Sequence, residues 1–169
     1  GMGLATAEAI ATEGGDIAIV ARGKDRVEAV VDKLTDEHGV RVTGYAADPS
    51  GPEGIDGVVE QVLAAHGRLD GLAVFAGPVL AYGDVLALTD QDWEDGFALK
   101  FFGYVRLTRE SWPLLKAAQG AVINIIGVSA RTPEAVYAIG ASSNAGLMAF
   151  TKSMAAIGMQ DGVRVNAVN

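Results

Sequence analysis

Ile17-Ala18-Ile19-Val20-Ala21 is an unbroken apolar run between turn residues, the pattern of a short strand covered on both faces of a parallel sheet. Four comparable runs follow along the chain: Val42-Thr-Gly-Tyr-Ala-Ala47, Leu72-Ala-Val-Phe-Ala76, Ala121-Val-Ile-Asn-Ile-Ile126 and Val163-Arg-Val-Asn-Ala-Val168. The segments between them carry helical spacing. Val27, Val30, Val31 and Leu34 recur at i, i+3, i+4 and i+7, and Ile55, Val58, Val59, Val62 and Leu63 repeat the pattern one unit later. Asp90 is read as the N-cap of a long helix running through Trp93, Phe97, Phe101 and Tyr104 towards Leu115, and another helix begins near Tyr137. Strands alternating with crossover helices predict an α/β fold with a doubly wound parallel sheet.

With 169 residues, half of them hydrophobic, the chain can bury a substantial core, and residues 1–169 are read as one domain. A formal charge of -8 and a pI near 4.6 provide no basic footprint for a nucleic-acid backbone. There is no cysteine, and His38 and His66 stand apart, so neither a disulfide framework nor a metal site is expected. No apolar run approaches the roughly 18–20 residues needed to cross a bilayer. The expectation is a cytoplasmic protein without nucleic-acid or membrane partners.

Two segments carry a family resemblance. Asn124-Ile125-Ile126-Gly127 resembles the Asn-Ile-Ser-Ser strand end of the short-chain dehydrogenases/reductases. The stretch from Tyr137 through Gly140 and Asn144 to Thr151-Lys152-Ser153-Met154-Ala155 resembles their Tyr-x-x-x-Lys helix. The opening Gly1-Met2-Gly3 is similar to the last part of that family's glycine-rich turn. The resemblance implies a Rossmann-type domain that is partial at both ends, an internal piece of a chain of about 250 residues. Its first and last strands would be absent, and a gap would separate the strands at Ile17 and Leu72. It also implies a homodimer or homotetramer. Phe101, Phe102, Trp112, Met148 and Phe150 would supply the apolar surface for that association.

The resemblance further implies a nicotinamide cofactor. Gly1 and Gly3 open a helix whose free N–H groups suit a pyrophosphate. At the end of the strand Ile17 to Ala21, relatives that prefer NAD place an Asp, whereas this chain has Ala21-Arg22. The guanidinium can pair with a 2'-phosphate, which favours NADP(H), with NAD as the alternative; the competing reading is an Arg22 that simply solvates a strand end. Asp48 matches the residue that holds the adenine edge, or is a turn former before Pro49. Ala76 and Gly77 keep room for the adenosine ribose, although the amides usual beside them have become Val74 and Phe75.

Aligned through the same helix, Gly127, Gly140 and Asn144 stand where the family carries its Ser, Tyr and Lys, and Lys100 stands where it carries an Asn. Carbonyl reduction needs a proton donor from the protein, because the cofactor supplies only a hydride. Lys100 is the candidate to return the missing ammonium, with Asn144 as its hydrogen-bond partner near the nicotinamide; the alternative is a lysine snorkelling to solvent. Tyr137 is the candidate acid, since 137, 140 and 144 share a helix face if the helix reaches back that far. A packing or capping tyrosine is the competing reading. Ser129 and Ser142 are further hydroxyls that spacing does not single out. The first functional reading is an NADP(H)-dependent oxidoreductase acting on a carbonyl or alcohol. The rival readings are a catalytically inactive NAD(P)-binding sensor or partner subunit, and a purely structural subunit.

Overall fold

The computed structural model describes residues 1–55, 57–75, 77 and 82–169. The chain divides into two compact units, one comprising residues 1–48 and 54–68, the other residues 49–53 and 69–169.

In the first unit, α1 (Met2–Thr12) precedes β1 (Ile17–Ala21), α2 (Lys24–His38), β2 (Val42–Ala46) and α3 (Val58–His66). β1 and β2 are parallel, with Ile17 opposite Val42 and Ala21 opposite Ala46. The apolar stripe read from the sequence becomes the core: Leu34 is fully buried and packs with Ala7, Ala11, Ile17 and Val42, while Val30 and Val31 border the cluster. Gly44 lets α2 lie close on β2, because a Cβ there would run into Val27 and Val31. Gly39 ends α2 in the left-handed conformation, φ 66°. The second amphipathic stripe is shorter than its spacing suggested. Ile55 belongs to a 3-10 turn, Pro52–Ile55, and α3 starts only after Gly57, whose positive φ of 72° breaks the helical path.

The second unit contains β3 (Gly71–Val74), α4 (Asp90–Phe97), a π-helical segment (Ala98–Gly103), α5 (Tyr104–Ala118), β4 (Ala121–Ile125), α6 (Ala138–Asp161) and β5 (Arg164–Val168). Its sheet order is β3-β4-β5, all parallel. The five apolar runs are thus the five strands among the described residues, shifted at most by a residue or two at their ends. All described pairings are parallel, and no ladder joins β1 to β3 among the described residues.

Two expectations need correction. The cap of α4 is Thr89, not Asp90: the Thr89 hydroxyl accepts the Asp92 N–H, and Asp92 accepts the Thr89 N–H at 2.8 Å in return. This reciprocal box satisfies two orphan donors, which Asp90, as the first helical residue, does not do. Hydrogen bonds from Thr89 also hold the Asp92 carboxyl below its usual value. The long helix is likewise not uniform, since one wider turn interrupts it at Ala98–Gly103. Such turns loosen the carbonyl ladder and often mark functional positions. Here the Arg106 guanidinium reaches the Ala98 carbonyl at 3.4 Å, together with Pro49 and Ser50 carbonyls at 3.0 and 2.7 Å.

Candidate active site

The site residues of the second unit gather where β4 ends and α6 begins. Lys100 projects inward from the π-helical turn and is only 8% exposed. Its Nζ donates to the Tyr104 hydroxyl and to the Ile125 carbonyl, both at 3.3 Å, and Tyr104 donates to that same carbonyl at 2.7 Å. The ammonium also lies 5.2 Å from the centre of the Tyr104 ring. Burial pushes the Lys100 pKa down from its ordinary value, because desolvation penalises the charged form. Lysine therefore does not snorkel here. Its hydrogen bonds go to Tyr104 and Ile125, however, and include neither Asn144 nor Tyr137. The expected Lys100–Asn144 pair is not formed: an ammonium only donates, and the Asn144 acceptor, Oδ1, already takes the Gly127 N–H.

Asn144, 2% exposed on α6, ties the strand end to the helix start. Its Oδ1 accepts the Gly127 N–H at 2.7 Å, and its Nδ2 donates to the Gly140 carbonyl at 2.7 Å and to Ser129 Oγ at 3.2 Å. Chemistry fixes the orientation of this amide. A backbone N–H only donates and a backbone carbonyl only accepts, so oxygen must face Gly127 and nitrogen must face Gly140.

The glycines at 127 and 140 are matched to these neighbours. A Cβ at Gly127 would meet Asn144 Nδ2 at 2.9 Å and Cγ at 3.2 Å, so the Asn144 amide fills the room a side chain at 127 would need. A Cβ at Gly140 would fall within the Tyr137 ring, with Cζ, Cε1 and Cε2 as its nearest atoms. α6 begins at Ala138 and Tyr137 occupies its N-cap position, so the three residues do not lie on one continuous helical face as the spacing suggested. The half-buried ring nevertheless folds back over position 140. Tyr82 stacks on it with ring centres 4.6 Å apart, and the Gly83 N–H donates to the Val136 carbonyl at 2.9 Å beside it. The departures at 127, 140 and 144 thus form two complementary pairs, Gly127 with Asn144 and Gly140 with Tyr137.

Sequence reasoning missed Tyr104 as the partner of Lys100 and did not single out Ser129. The i, i+4 spacing of 100 and 104 was a usable signal for the first. Nothing in the local pattern could have shown the second, because its link to Asn144 spans fifteen positions.

The remaining sequence-derived positions are distributed as follows. In the first unit Gly1 caps α1 without a side-chain hydrogen bond, no acidic residue lies in that helix's first turn, and the space where a Gly1 Cβ would stand is open. Gly3 lies half-buried in the first turn, and Arg22 is exposed just past β1. Asp48 is half-buried beyond β2. The unobstructed helix start and the exposed guanidinium fit phosphate groups. In the second unit Gly77 borders open space, whereas Ala76 lies outside the described residues. Among the described residues no group of three or more metal-ligating side chains occurs, and no helix is long and apolar enough to cross a membrane.

The fold has counterparts among known proteins. The chain matches L-sorbose reductase from Gluconobacter frateurii, solved with NADPH and L-sorbose, at 36% identity and a TM-score of 0.95, covering all of this chain and 64% of that one. It is 30% identical to D-threitol dehydrogenase from Mycolicibacterium smegmatis, covering all of this chain and 65% of the relative. It also matches an NADPH-bound short-chain oxidoreductase from Pseudomonas aeruginosa PAO1 that contains an atypical catalytic center, at 26% identity and a TM-score of 0.91, covering 99% of this chain and 65% of that one. The chain therefore spans less than two thirds of the length of each. The short chain dehydrogenase family model matches residues 1–169, so with its parallel α/β architecture the chain belongs to the short-chain dehydrogenase/reductase family.

Proposed function

We propose that the protein is an NADP(H)-dependent oxidoreductase that interconverts a carbonyl and an alcohol on a small molecule, with Tyr137 as its proton donor. The observation that carries this reading is the Tyr137 ring lying over Gly140. A phenol three residues upstream covers the position from which the family presents its own tyrosine. When bound, the nicotinamide supplies the hydride. Tyr137 gives its hydroxyl proton to the substrate oxygen, and Tyr82 holds its ring by stacking. Lys100 places a cation beneath the strand end through Ile125 and Tyr104, and Asn144 keeps the strand end and the start of α6 in register. Gly1, Gly3, Arg22 and Asp48 are the proposed phosphate and adenosine contacts in the first unit, with Arg22 selecting NADP over NAD. Gly77, Ala76, Asn144 and Lys100 are the proposed contacts in the second.

Ketoses and polyols are the first substrates to try, because a sorbose reductase and a threitol dehydrogenase are among the relatives. An NADPH-bound relative whose catalytic center is itself atypical supports activity despite the altered positions. The single-domain reading of residues 1–169, a cytoplasmic location and a homodimer or homotetramer belong to the same proposal. For association, Phe102 is exposed, while Phe101, Trp112, Met148 and Phe150 are half-buried.

A second reading has one specific observation in its favour. The Lys100 ammonium is hydrogen-bonded to Tyr104 rather than to Tyr137, so the cation that would acidify the proposed donor has another phenol as its partner. This arrangement suits an inactive nucleotide-binding sensor or partner subunit. The deciding experiment uses the full-length protein, titrated with NADPH and NADH and then assayed against ketoses and polyols beside Tyr137→Phe. The expected result is NADPH binding and turnover that falls by roughly 10²- to 10⁴-fold in the variant. Cofactor binding without turnover refutes the reductase and establishes the sensor.

A further inference from the structure

We infer that Ser129 is the hydroxyl that polarises the substrate carbonyl, taking over the task left open at Gly127; the inference rests on the reductase reading above. Ser129 sits half-buried in the 3-10 turn Val128–Ala130, directly after Gly127 and β4. Backbone bonds from Ala130 to Gly127 and from Arg131 to Val128, at 3.1 and 2.9 Å, brace this turn.

The argument turns on where one proton can go. The Gly127 N–H fixes Asn144 Oδ1 and the Gly140 carbonyl fixes Nδ2. Nδ2 can therefore only donate, and Ser129 Oγ accepts from it at 3.2 Å. A serine hydroxyl has one hydrogen. Since Asn144 cannot receive it, that hydrogen points elsewhere, and it has no acceptor among the described residues. Asn144 therefore aims the serine as a donor, and a partly exposed, unclaimed donor suits a carbonyl oxygen that gains negative charge during reduction.

The second hydroxyl of the proposed site is that of Tyr137. Nδ2 reaches the carbonyl of Gly140, the residue that the Tyr137 ring covers. Asn144 Nδ2 thus links Ser129, the proposed hydrogen-bond donor, to the residue covered by Tyr137, the proposed acid. The proton balance assigns them different tasks. Tyr137 loses its hydroxyl proton to the substrate oxygen and recovers one from solvent, whereas Ser129 keeps its own throughout. Ser142 is exposed on α6 and has no such bond to Asn144, so it serves as a control.

The test uses the full-length protein and its Ser129→Ala, Ser129→Thr and Ser142→Ala variants. One readout is kcat and KM for NADPH-driven reduction of L-sorbose and dihydroxyacetone. The other is the infrared carbonyl stretch of isotope-labelled dihydroxyacetone bound together with NADP+, which reports polarisation without turnover. Ser129→Ala should lower kcat by roughly 100-fold, the scale for losing one such donor, and move the stretch to higher frequency. Cofactor affinity and the melting temperature should change little, because Asn144 keeps its bonds to Gly127 and Gly140. Ser129→Thr should restore both signals, and Ser142→Ala should match the wild type. Full turnover and an unshifted stretch in Ser129→Ala overturn the Ser129 assignment alone. A wild-type protein that neither turns over these ketones nor shifts the bound carbonyl overturns the reductase reading beneath it.

Discussion

Gly140→Ala is the most direct probe of Tyr137 as the proposed acid. The added methyl would occupy the space now held by the Tyr137 ring, whose Cζ, Cε1 and Cε2 are its nearest atoms. Carbon atoms settle about 3.5–4.0 Å apart, so the ring must withdraw by roughly 1.5 Å or rotate away. Overpacking of this kind costs about 1–3 kcal/mol. Alanine in place of glycine inside a helix returns about 0.8–1.0 kcal/mol. The net destabilisation should be about 0–2 kcal/mol, and smallest if the half-buried ring swings out past Tyr82. The effect on chemistry should be larger, since misplacing a reacting group by about 1 Å can cost about 100-fold in rate. Denaturant titration measures the first quantity, and steady-state turnover with NADPH and a ketose measures the second. Unaltered turnover in Gly140→Ala, with the protein folded, would refute the placement of Tyr137 as the acid.

Three further outcomes are expected. Lys100→Met should cut turnover by about 100-fold while raising thermal stability at neutral pH. The folded-state pKa of Lys100 is depressed by burial, so the unfolded chain binds the extra proton, and wild-type stability should climb as pH rises from that lowered value towards the ordinary one; the Met variant should lack this climb. Arg22→Ala should weaken NADPH binding by about 1.5–3 kcal/mol, the range for hydrogen bonds to charged groups, and leave NADH nearly unchanged, whereas equal losses in calorimetric titrations would assign Arg22 to the fold. Asp161 joins α5 to α6 by accepting from Trp112 Nε1 at 2.8 Å and Lys116 Nζ at 2.6 Å, and these bonds, Lys116 first, hold its carboxyl below the usual value. Its contribution to stability is present above the unfolded-state pKa and is lost as pH falls through the folded one, so Asp161→Asn should flatten the acid limb of a stability–pH profile.

Residue order along the chain determined the fold class, because strand and helix periodicities are local: apolar runs marked each strand among the described residues, and valines and a leucine at helical spacing marked the buried face of α2. Local signals also placed the chain in its family, pointed to Lys100, Gly127, Gly140 and Asn144 as the altered positions and offered Tyr137 as the candidate acid. They could not reveal the π-helical turn that aims Lys100 inward, since a one-residue widening of a helix leaves the apolar spacing almost intact. Nor could they give the lysine its partner, a strand-end carbonyl 25 positions away. Only the tertiary structure decided that Gly127 makes room for an amide and Gly140 for a phenol ring. The reason is that a glycine records only a missing side chain, and what fills the space depends on backbone brought together from distant parts of the sequence.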